Sequence, residues 1–378
     1  MTFVIITHVP HIVVHNQYFA YGPYVREMNI WTQYADRVII VAPKAYTERT
    51  IIDVAYEHAI IEFVAIENFD ILNVKSTLRT IFKMPQISWS IFKAMQEANH
   101  IHLRCPGNVG LVGSIIQIVF PTKIKTAKYA GNWDPRSKQS STYKVQQYIL
   151  GNTFLTRNMQ VLVYGEWKGS SKNIKPFFTS TYVEKDKVAI VPKKLNEVID
   201  FVFVGTLTKG KNPMYAIHLI ENLYQKGYSV HLRIYGEGLE RLSLEDYILM
   251  HQLETMISLQ GNQTQEIVKK AYQESHFVIL PSNSEGWPKA IAEGMFWGCV
   301  PLATPVSCVP FMLDQGKRGI LLAMDLEKDA KKIEMLLKNQ ADFDTKSENA
   351  SDWSRNYTLD VFEREIMELL KQESKLKN

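Results

Sequence analysis

The sequence predicts an α/β protein with two doubly wound, Rossmann-like domains, and three observations support this fold class. Short apolar runs rich in β-branched residues alternate with longer helical segments, as expected for parallel sheets covered by helices on both faces. The length of 378 residues suits two or three domains. The alternation starts again near residue 200, after a polar stretch, so we expect a second sheet there. Because parallel crossovers are right-handed, each half should be doubly wound.

Apolar runs in both halves are the predicted strands. In the first half they cover residues 3–7, 37–42, 60–64, 100–103, 125–129 and 161–164. In the second half they cover residues 201–205, 229–235, 255–259, 277–280, 300–303 and 319–322. We expect an N-terminal domain over residues 1–190, a second domain over 191–356, and an amphipathic terminal helix within 357–378.

Composition and charge narrow the functional class. The net charge is only +4 and no nucleic-acid-binding module is recognisable, so nucleic acid is not an expected partner. Positive side chains nevertheless cluster between residues 123 and 175, which suits an anionic membrane surface, an anionic acceptor or a solvated face. The cluster comprises Lys123, Lys125, Lys128, Arg136, Lys138, Lys144, Lys168, Lys172 and Lys175.

Three features predict a cytoplasmic protein, with any membrane contact peripheral. The three cysteines are widely spaced, and the N-terminus lacks a signal-peptide pattern. The longest apolar stretch, residues 109–120, is too short to span a bilayer, and we expect it to form a buried helix.

The absence of a G-x-G-x-x-G pattern after any strand-like run disfavours nicotinamide cofactors.

The segment 281–304 is the most informative about function. It follows a strand-like run and places Glu285 in a loop, Pro288 at the expected first position of a helix, and Glu293 inside that helix. Gly298 suits the end of the helix. The free N–H groups at a helix N-terminus bind anions, and carboxylates accept hydrogen bonds from hydroxyl groups. This combination suits a ligand with phosphates and hydroxyls, such as a nucleotide-sugar.

This segment resembles the signature of family 4 retaining glycosyltransferases of the GT-B fold, of the bacterial polysaccharide-biosynthesis type. The resemblance rests on Glu285-x7-Glu293, on Gly286 and Pro288 within that spacing, and on the G-x-V-P run that starts at Gly298. It implies two domains facing a central cleft, with the terminal helix of residues 357–378 packing back on the N-terminal domain. Glu293 would hold the ribose hydroxyls of the donor, and Glu285 would accept hydrogen bonds from the donor sugar.

Two more elements of the second half resemble donor-binding elements of the family. In a strand–turn–helix element, Lys211 occupies the position of a lysine that grips the donor diphosphate. The family's arginine position holds Thr206, and one hydroxyl does not replace a guanidinium. Lys209 or Arg104 could supply the missing charge, and a Gly-x-Gly turn from Gly236 would approach the nucleotide. The resemblance implies a donor set of Gly22, Gly205, Thr206, Lys209, Gly236, Gly286, Trp287, Lys289 and Glu293, with Lys211 and Glu285 as catalytic residues.

The acceptor side is expected in the N-terminal half. Gly22 follows the first strand and an aromatic loop, and it matches a glycine that lies beside the donor diphosphate in the family. Tyr21 and Tyr24 would either stack on an acceptor saccharide or pack in the core.

The other candidate site residues of this half lie where predicted strands end. His102 and Arg104 end one strand, where the family has a His-x-His pattern near the reacting centre. Either His102 is the second histidine of that pattern or Arg104 replaces it, and we prefer Arg104; both are candidate catalytic residues. Asp134 and Glu166 follow two further strands, where open α/β sheets bind ligands, and are candidate acceptor contacts.

The resemblance therefore predicts a retaining transfer of a sugar from a UDP- or GDP-sugar to a saccharide or lipid-linked saccharide, in surface polysaccharide synthesis. No metal and no cofactor are expected, since the nucleotide-sugar is a substrate. Two alternatives are open. The protein could be an epimerase that converts a nucleotide-sugar without an acceptor, or a non-catalytic partner subunit that binds a nucleotide-sugar, which Thr206 would suit.

Overall fold

A computed structural model describes residues 1–67, 74–195 and 197–375 of the chain. These residues form two compact units. Unit 1 comprises residues 1–178 and the chain from Glu363 onward, and unit 2 comprises residues 179–362. Residues 179–190, which the sequence assigns to the N-terminal domain, lie in unit 2. Two of their side chains show why, because Ser180 Oγ donates to Tyr357 O at 2.6 Å and Glu184 accepts from Thr358 Oγ1 at 2.8 Å.

The described part of unit 1 contains a ten-stranded sheet. Its parallel strands follow the order β10-β9-β8-β7-β1-β4, and β6 also pairs with β4. A ribbon of β2, β3 and β5 extends the sheet, with antiparallel pairing at β2–β3 and β3–β5. The strands are β1 (Thr2–Ile6), β2 (His11–Val14), β3 (Gln17–Tyr21), β4 (Arg37–Ala45), β5 (Asp53–Ala55), β6 (Ile61–Ile66), β7 (His100–Cys105), β8 (Ile124–Tyr129), β9 (Met159–Tyr164) and β10 (Ile174–Phe177).

Helices cover the sheet of unit 1. They are α1 (Gly22–Thr32), α2 (Val74–Glu97), α3 (Asn108–Ile116) and α4 (Ser141–Gly151). The predicted buried helix at 109–120 corresponds to α3 and a short 3₁₀ turn, but only one face of it is buried. Val109 and Val112 pack into the core, whereas Ile115 and Val119 are exposed.

Unit 2 is a doubly wound unit with a six-stranded, all-parallel sheet in the order β13-β12-β11-β14-β15-β16. Its strands are β11 (Ile199–Val204), β12 (Val230–Tyr235), β13 (Ile257–Gly261), β14 (Phe277–Leu280), β15 (Val300–Ala303) and β16 (Ile320–Leu321). Its helices are α5 (Pro213–Gln225), α6 (Arg241–Met250), α7 (Gln265–Glu274), α8 (Lys289–Phe296), α9 (Val309–Met312), α10 (Leu326–Leu337) and α11 (Gln340–Ser354). The chain order reverses between β11 and β14, and ligands bind at such switch points, outside the carboxyl ends of the strands.

The terminal helix α12 (Leu359–Lys375) begins in unit 2 and continues in unit 1. Within unit 1, two of its acidic side chains form hydrogen bonds with other elements. Glu363 accepts from Tyr34 OH at 2.8 Å, and Glu365 accepts from Lys175 Nζ at 2.8 Å. The last residues of the predicted segment 357–378, numbers 376–378, lie outside the described residues.

The predicted α/β class is confirmed, and each predicted apolar run corresponds to a strand. Strands β2, β3, β5 and β10 were not predicted. The turn between β2 and β3 explains part of this difference. His15 and Asn16 both have positive φ, 47° and 62°, as in the tight turns of hairpins. Glycine usually marks such turns in a sequence, and here none does.

Three lysines of the predicted basic cluster point into unit 1. Lys123 Nζ donates to Ala98 O at 2.6 Å, just beyond the end of α2. Lys125 Nζ donates to Phe120 O at 2.8 Å, and Lys128 Nζ donates to Phe178 O at 2.5 Å. The expectation that these three side chains form a solvated or membrane-facing surface is wrong, because their ammonium groups satisfy main-chain carbonyls instead.

The buried ammonium group of Lys125 predicts a pH-dependent stability. Burial lowers its pKa from 10.5 to about 8. Between these values the unfolded chain holds a proton that the native chain has released, so the free energy of unfolding should rise with pH over this interval. We expect the free energy of unfolding of the native protein, minus that of Lys125→Met, to increase from about pH 8 to about pH 10. Urea unfolding at several pH values measures it.

Lys144→Met is the matched control, because Lys144 is exposed on α4. Its difference from the native protein should be constant with pH. A constant difference for Lys125→Met as well would contradict the assigned pKa.

Candidate active site

Two loops of unit 2 meet where β11 and β14 end. The first runs from Gly205 to α5, and the second runs from β14 to α8. Main-chain and side-chain hydrogen bonds join them. Asn283 N–H donates to Gly210 O at 2.8 Å, and Asn283 Nδ2 donates to Lys209 O at 3.3 Å. The loops that carry Lys211 and Glu285 are therefore held against each other.

Lys211 and Glu285 form an ion pair at the centre of this junction. Lys211 Nζ lies 2.5 Å from Glu285 Oε1. The Glu285 side chain is 7% exposed, whereas the Lys211 side chain is 30% exposed. A nearly buried carboxylate needs a positive partner, and Lys211 supplies it. Two residues that the resemblance implied as catalytic, from separate segments of the chain, are thus in direct contact.

Glu293 lies on α8 as predicted, and its carboxylate accepts two hydrogen bonds. Thr181 Oγ1 donates to Oε1 at 2.5 Å, and Tyr272 OH donates to Oε2 at 3.3 Å. Burial and the nearby Glu293 charge raise the pKa of both Tyr182 and Tyr272, so both phenols stay protonated at neutral pH. Sequence analysis missed Thr181 and Tyr272, because no local motif marks a contact between such distant positions.

Glycines bring the turns after β11 and β12 into backbone contact. A Cβ on Gly236 would lie 2.0 Å from Gly205 O, and Gly236 has a φ of 140°. A Cβ on Gly238 would lie 2.3 Å from Leu207 O. Thr206 and Lys209, on the first of these turns, are exposed. The glycines let the two turns approach each other closely. The side chains of Thr206 and Lys209 lie on the solvent-exposed surface of the first turn.

The start of α8 differs from the prediction by one residue. Pro288 is the N-cap rather than the first helical residue, because its ψ of 86° is not helical. Its carbonyl accepts from Ile291 N at 3.0 Å and from Ala292 N at 3.1 Å, and α8 begins at Lys289. The predicted end of this helix is confirmed, since Gly298 follows it with a φ of 76°.

The residues around this helix start have different roles. Trp287 is buried and packs on the rings of Trp353 and Tyr357, with centroids 5.9 Å and 5.4 Å away. Its indole therefore belongs to the packing of unit 2. Gly286 O accepts from Ser307 Oγ at 3.2 Å, which fixes the loop before α8, and Lys289 is half-buried.

In unit 1, Gly22 is the first residue of α1 and fits closely against residues 52–54. Its N–H donates to Ile52 O at 2.8 Å, and a Cβ would lie 2.7 Å from that same oxygen. Tyr21, at the end of β3, is exposed, whereas Tyr24 is buried. Of the two readings given for Tyr24, packing in the core is therefore the one that fits.

Arg104 is the more accessible of the two candidates at the end of β7. Its Nη1 donates to Glu27 Oε2 at 3.1 Å, and its guanidinium lies 5.4 Å from the ring centre of Tyr24. His102 is completely buried, with its ring 4.9 Å from that of Trp31 and its Nδ1 2.8 Å from Thr126 Oγ1. The prediction that His102 acts in catalysis does not fit this core position.

Asp134 and Glu166 lie in the loops after β8 and β9. Asp134 Oδ1 accepts from the main-chain N of Arg136 at 2.9 Å and from its Nε at 3.3 Å, so the carboxylate stabilises its own loop. Glu166 is exposed. The described residues contain no group of three or more His, Cys, Asp or Glu side chains arranged to hold a metal ion.

Comparison with known proteins finds a family model that matches the second half of the chain, and two similar glycosyltransferases. The family model described as "Glycosyl transferases group 1" matches residues 185–357. The putative colanic acid biosynthesis glycosyltransferase WcaL of Salmonella typhimurium is 29% identical over 141 residues, which are 36% of this chain and 34% of WcaL. An uncharacterized glycosyltransferase of Methanocaldococcus jannaschii is 25% identical over 158 residues, 42% of this chain and 43% of that protein. The alignments thus span well under half of these relatives.

Solved structures of similar fold extend over both units. HepE from Anabaena, in complex with UDP and glucose, has a TM-score of 0.69 and 14% identity, with 98% of this chain and 99% of HepE covered. Sucrose-phosphate synthase from Thermosynechococcus elongatus has a TM-score of 0.68 and 16% identity, with 98% of each chain covered. At such identities the likeness concerns the fold alone, and it confirms the predicted GT-B fold.

The contact between the two glycine turns predicts that Gly236 cannot be replaced without loss of stability. In Gly236→Ala the new Cβ would overlap Gly205 O at a φ that L-residues rarely adopt. We expect the free energy of unfolding to fall by about 2 kcal/mol or more, measured by chemical unfolding.

Gly210→Ala is the matched control on the same loop system. A Cβ there would lie no closer than 3.8 Å to any atom. Its stability should be unchanged or slightly raised. Equal losses in the two variants would contradict the assigned clash.

Proposed function

We propose that this chain, whose residues 185–357 match the model of the glycosyl transferases of group 1, transfers a hexose from a UDP- or GDP-sugar to a saccharide. The acceptor we propose is a saccharide or a lipid-linked saccharide, in the synthesis of a surface polysaccharide. The name of WcaL and the UDP and glucose in the HepE structure support this choice.

The observation that carries the proposal is the Lys211–Glu285 pair. It lies at the switch point of a parallel sheet, at the start of α8, within the segment that matches the family model. In the absence of donor, each group neutralises the other. A bound diphosphate would attract Lys211 and leave the Glu285 carboxylate to accept hydrogen bonds from sugar hydroxyls.

The proposed reaction forms a bond from an acceptor oxygen to the anomeric carbon while the bond from that carbon to the diphosphate oxygen breaks. We propose a front-face course with retention, in which the acceptor proton passes to the leaving diphosphate. Lys211 stabilises the negative charge that develops on that group. Glu293, held by Thr181 and Tyr272, accepts from the ribose hydroxyls. No metal is required in this proposal.

Two residues, Lys209 and Arg104, could supply the second positive charge that stabilises the diphosphate. Lys209 is exposed on the same loop as Thr206. Arg104 already forms an ion pair with Glu27, so its charge is partly compensated. We therefore favour Lys209.

A non-catalytic, nucleotide-sugar-binding subunit is the second candidate, and Thr206 is the observation that favours it. A hydroxyl cannot offer the bidentate contact of a guanidinium. Such a subunit would bind a donor without turnover. An epimerase would convert the donor without an acceptor.

Donor binding can be measured first, by thermal shift against UDP-, GDP- and ADP-sugars. A ligand at a hundredfold its Kd stabilises the native state by about 2.7 kcal/mol. We expect a shift with one nucleotide class. Glu293→Ala should lose this shift, and Glu293→Gln, which keeps the shape of the side chain, should weaken it. Absence of a shift with every nucleotide would contradict the proposed donor site.

Turnover is the test of Lys211, once an acceptor for the bound donor is found. Lys211→Met should lower kcat by about a hundredfold or more, as for removal of a group that stabilises transition-state charge. Lys211→Arg should retain more activity, because it keeps the charge. An unchanged kcat in Lys211→Met would contradict the assigned role.

Thr206→Arg separates a weakened enzyme from a binding subunit. The new guanidinium would stand on the exposed turn after β11. We expect an increase in turnover. If the variant binds the donor but shows neither transfer nor epimerisation, the non-catalytic candidate is favoured.

A further inference from the structure

Positive charge is concentrated in one segment of unit 1. Residues 105–178 contain ten Lys and Arg but only two Asp and Glu, a net charge of +8, whereas the whole chain carries +4. The rest of the chain is therefore net negative. A charge asymmetry of this size within one unit indicates an anionic partner for that unit.

Half of these cations are engaged within unit 1, and the others face solvent. Lys123, Lys125 and Lys128 donate to main-chain carbonyls, Arg136 pairs with Asp134, and Lys175 pairs with Glu365. The solvent-facing cations are Lys138, Lys144, Arg157, Lys168 and Lys172. Among the described residues, none of these five has an acidic side chain within ion-pair distance.

Four of the five lie on α4, on the loop that follows α4, and on the loop between β9 and β10. Lys144 is on the outer side of α4, and Lys168 lines a groove together with Tyr148 near the end of that helix. Arg157 and Lys172 line an adjoining groove, which continues from the same loops.

Large apolar side chains are exposed among these cations. Val145 and Tyr148 on α4 are 49% and 68% exposed, and Phe154 in the following loop is 71% exposed. The guanidinium of Arg157 lies 4.8 Å from the ring centre of Phe154. We call this surface the α4 face; it comprises Lys144, Val145, Tyr148, Phe154, Arg157, Lys168 and Lys172.

We propose that the α4 face docks on an anionic lipid bilayer. Lipid headgroups would neutralise the unpaired cations, and the interface would take up the rings of Tyr148 and Phe154. A soluble polyanion would satisfy the cations but would leave Phe154 and Val145 exposed to water. Among the described residues, no helix is long and apolar enough to cross a bilayer, so the contact is at the surface.

This docking goes beyond glycosyl transfer and needs no nucleotide-sugar, so it can be tested separately. The experiment is co-sedimentation of the full chain with phosphatidylcholine vesicles that contain about one third phosphatidylglycerol, against phosphatidylcholine alone. We expect binding to the anionic vesicles that weakens with added salt. Each cation removed should weaken partitioning about fivefold, the factor for about 1 kcal/mol.

Two variants test the surface itself. Lys144→Gln combined with Lys168→Gln and Lys172→Gln should weaken binding to anionic vesicles by about a hundredfold, from the same factor per charge. Phe154→Ser should also weaken binding to anionic vesicles, and the ratio of its partitioning to that of the native protein should not change with added salt. These side chains are exposed, so folding should be unaffected, and circular dichroism checks it.

Matched controls come from unit 2. Lys270→Gln combined with Lys317→Gln and Lys328→Gln removes three exposed lysines elsewhere, and Met335→Ser removes an exposed apolar side chain of α10. Both should bind vesicles as the native protein does. Equal losses in the controls, or no preference for anionic lipid, would overturn the proposal. Binding to soluble heparin without binding to vesicles would also overturn it, and would assign the face to an anionic saccharide.

Discussion

The central position of β11 in the sheet of unit 2 is the constraint from which the candidate site follows. Strand β12 pairs on one side of β11 and β14 on the other, all parallel, so the loops after all three strands emerge at one edge. Residues far apart in sequence are thereby brought within hydrogen-bond distance. The ion pair of Lys211 and Glu285 spans 74 positions of the chain and joins the loops that follow β11 and β14.

That ion pair also contributes to the stability of the two loops. A carboxylate as buried as Glu285 is costly without a partner, so Lys211 stabilises the loops by supplying one. A ligand that takes Lys211 away must compensate Glu285 with new hydrogen bonds. A ligand with phosphate but no sugar would satisfy only one half of the pair. On the proposed function, recognition of the phosphate and of the sugar would therefore be coupled through this one contact.

Sequence analysis located the elements of unit 2 well because each motif there is local. Glu285, Glu293 and Gly298 belong to one strand–loop–helix segment, and the spacing alone fixes their relation. Contacts between distant positions, such as those of Thr181 and Tyr272 with Glu293, could not be predicted from local motifs. In unit 1, the direction in which a polar side chain points could not be predicted either. Lys125 and His102 are polar in the sequence, yet the sheet places both in the interior, where the Lys125 ammonium group donates to a carbonyl and His102 Nδ1 pairs with a hydroxyl.

The backbone contact between the turns after β11 and β12 limits how this site can be diversified. Gly236 and Gly238 each face a carbonyl oxygen, so neither position can take a side chain without moving the other turn. A combinatorial library that randomised these two codons would consist mostly of destabilised members. Thr206, Lys209 and Leu239 stand on the same turns with their side chains in solvent, and they are the positions at which such a library should vary.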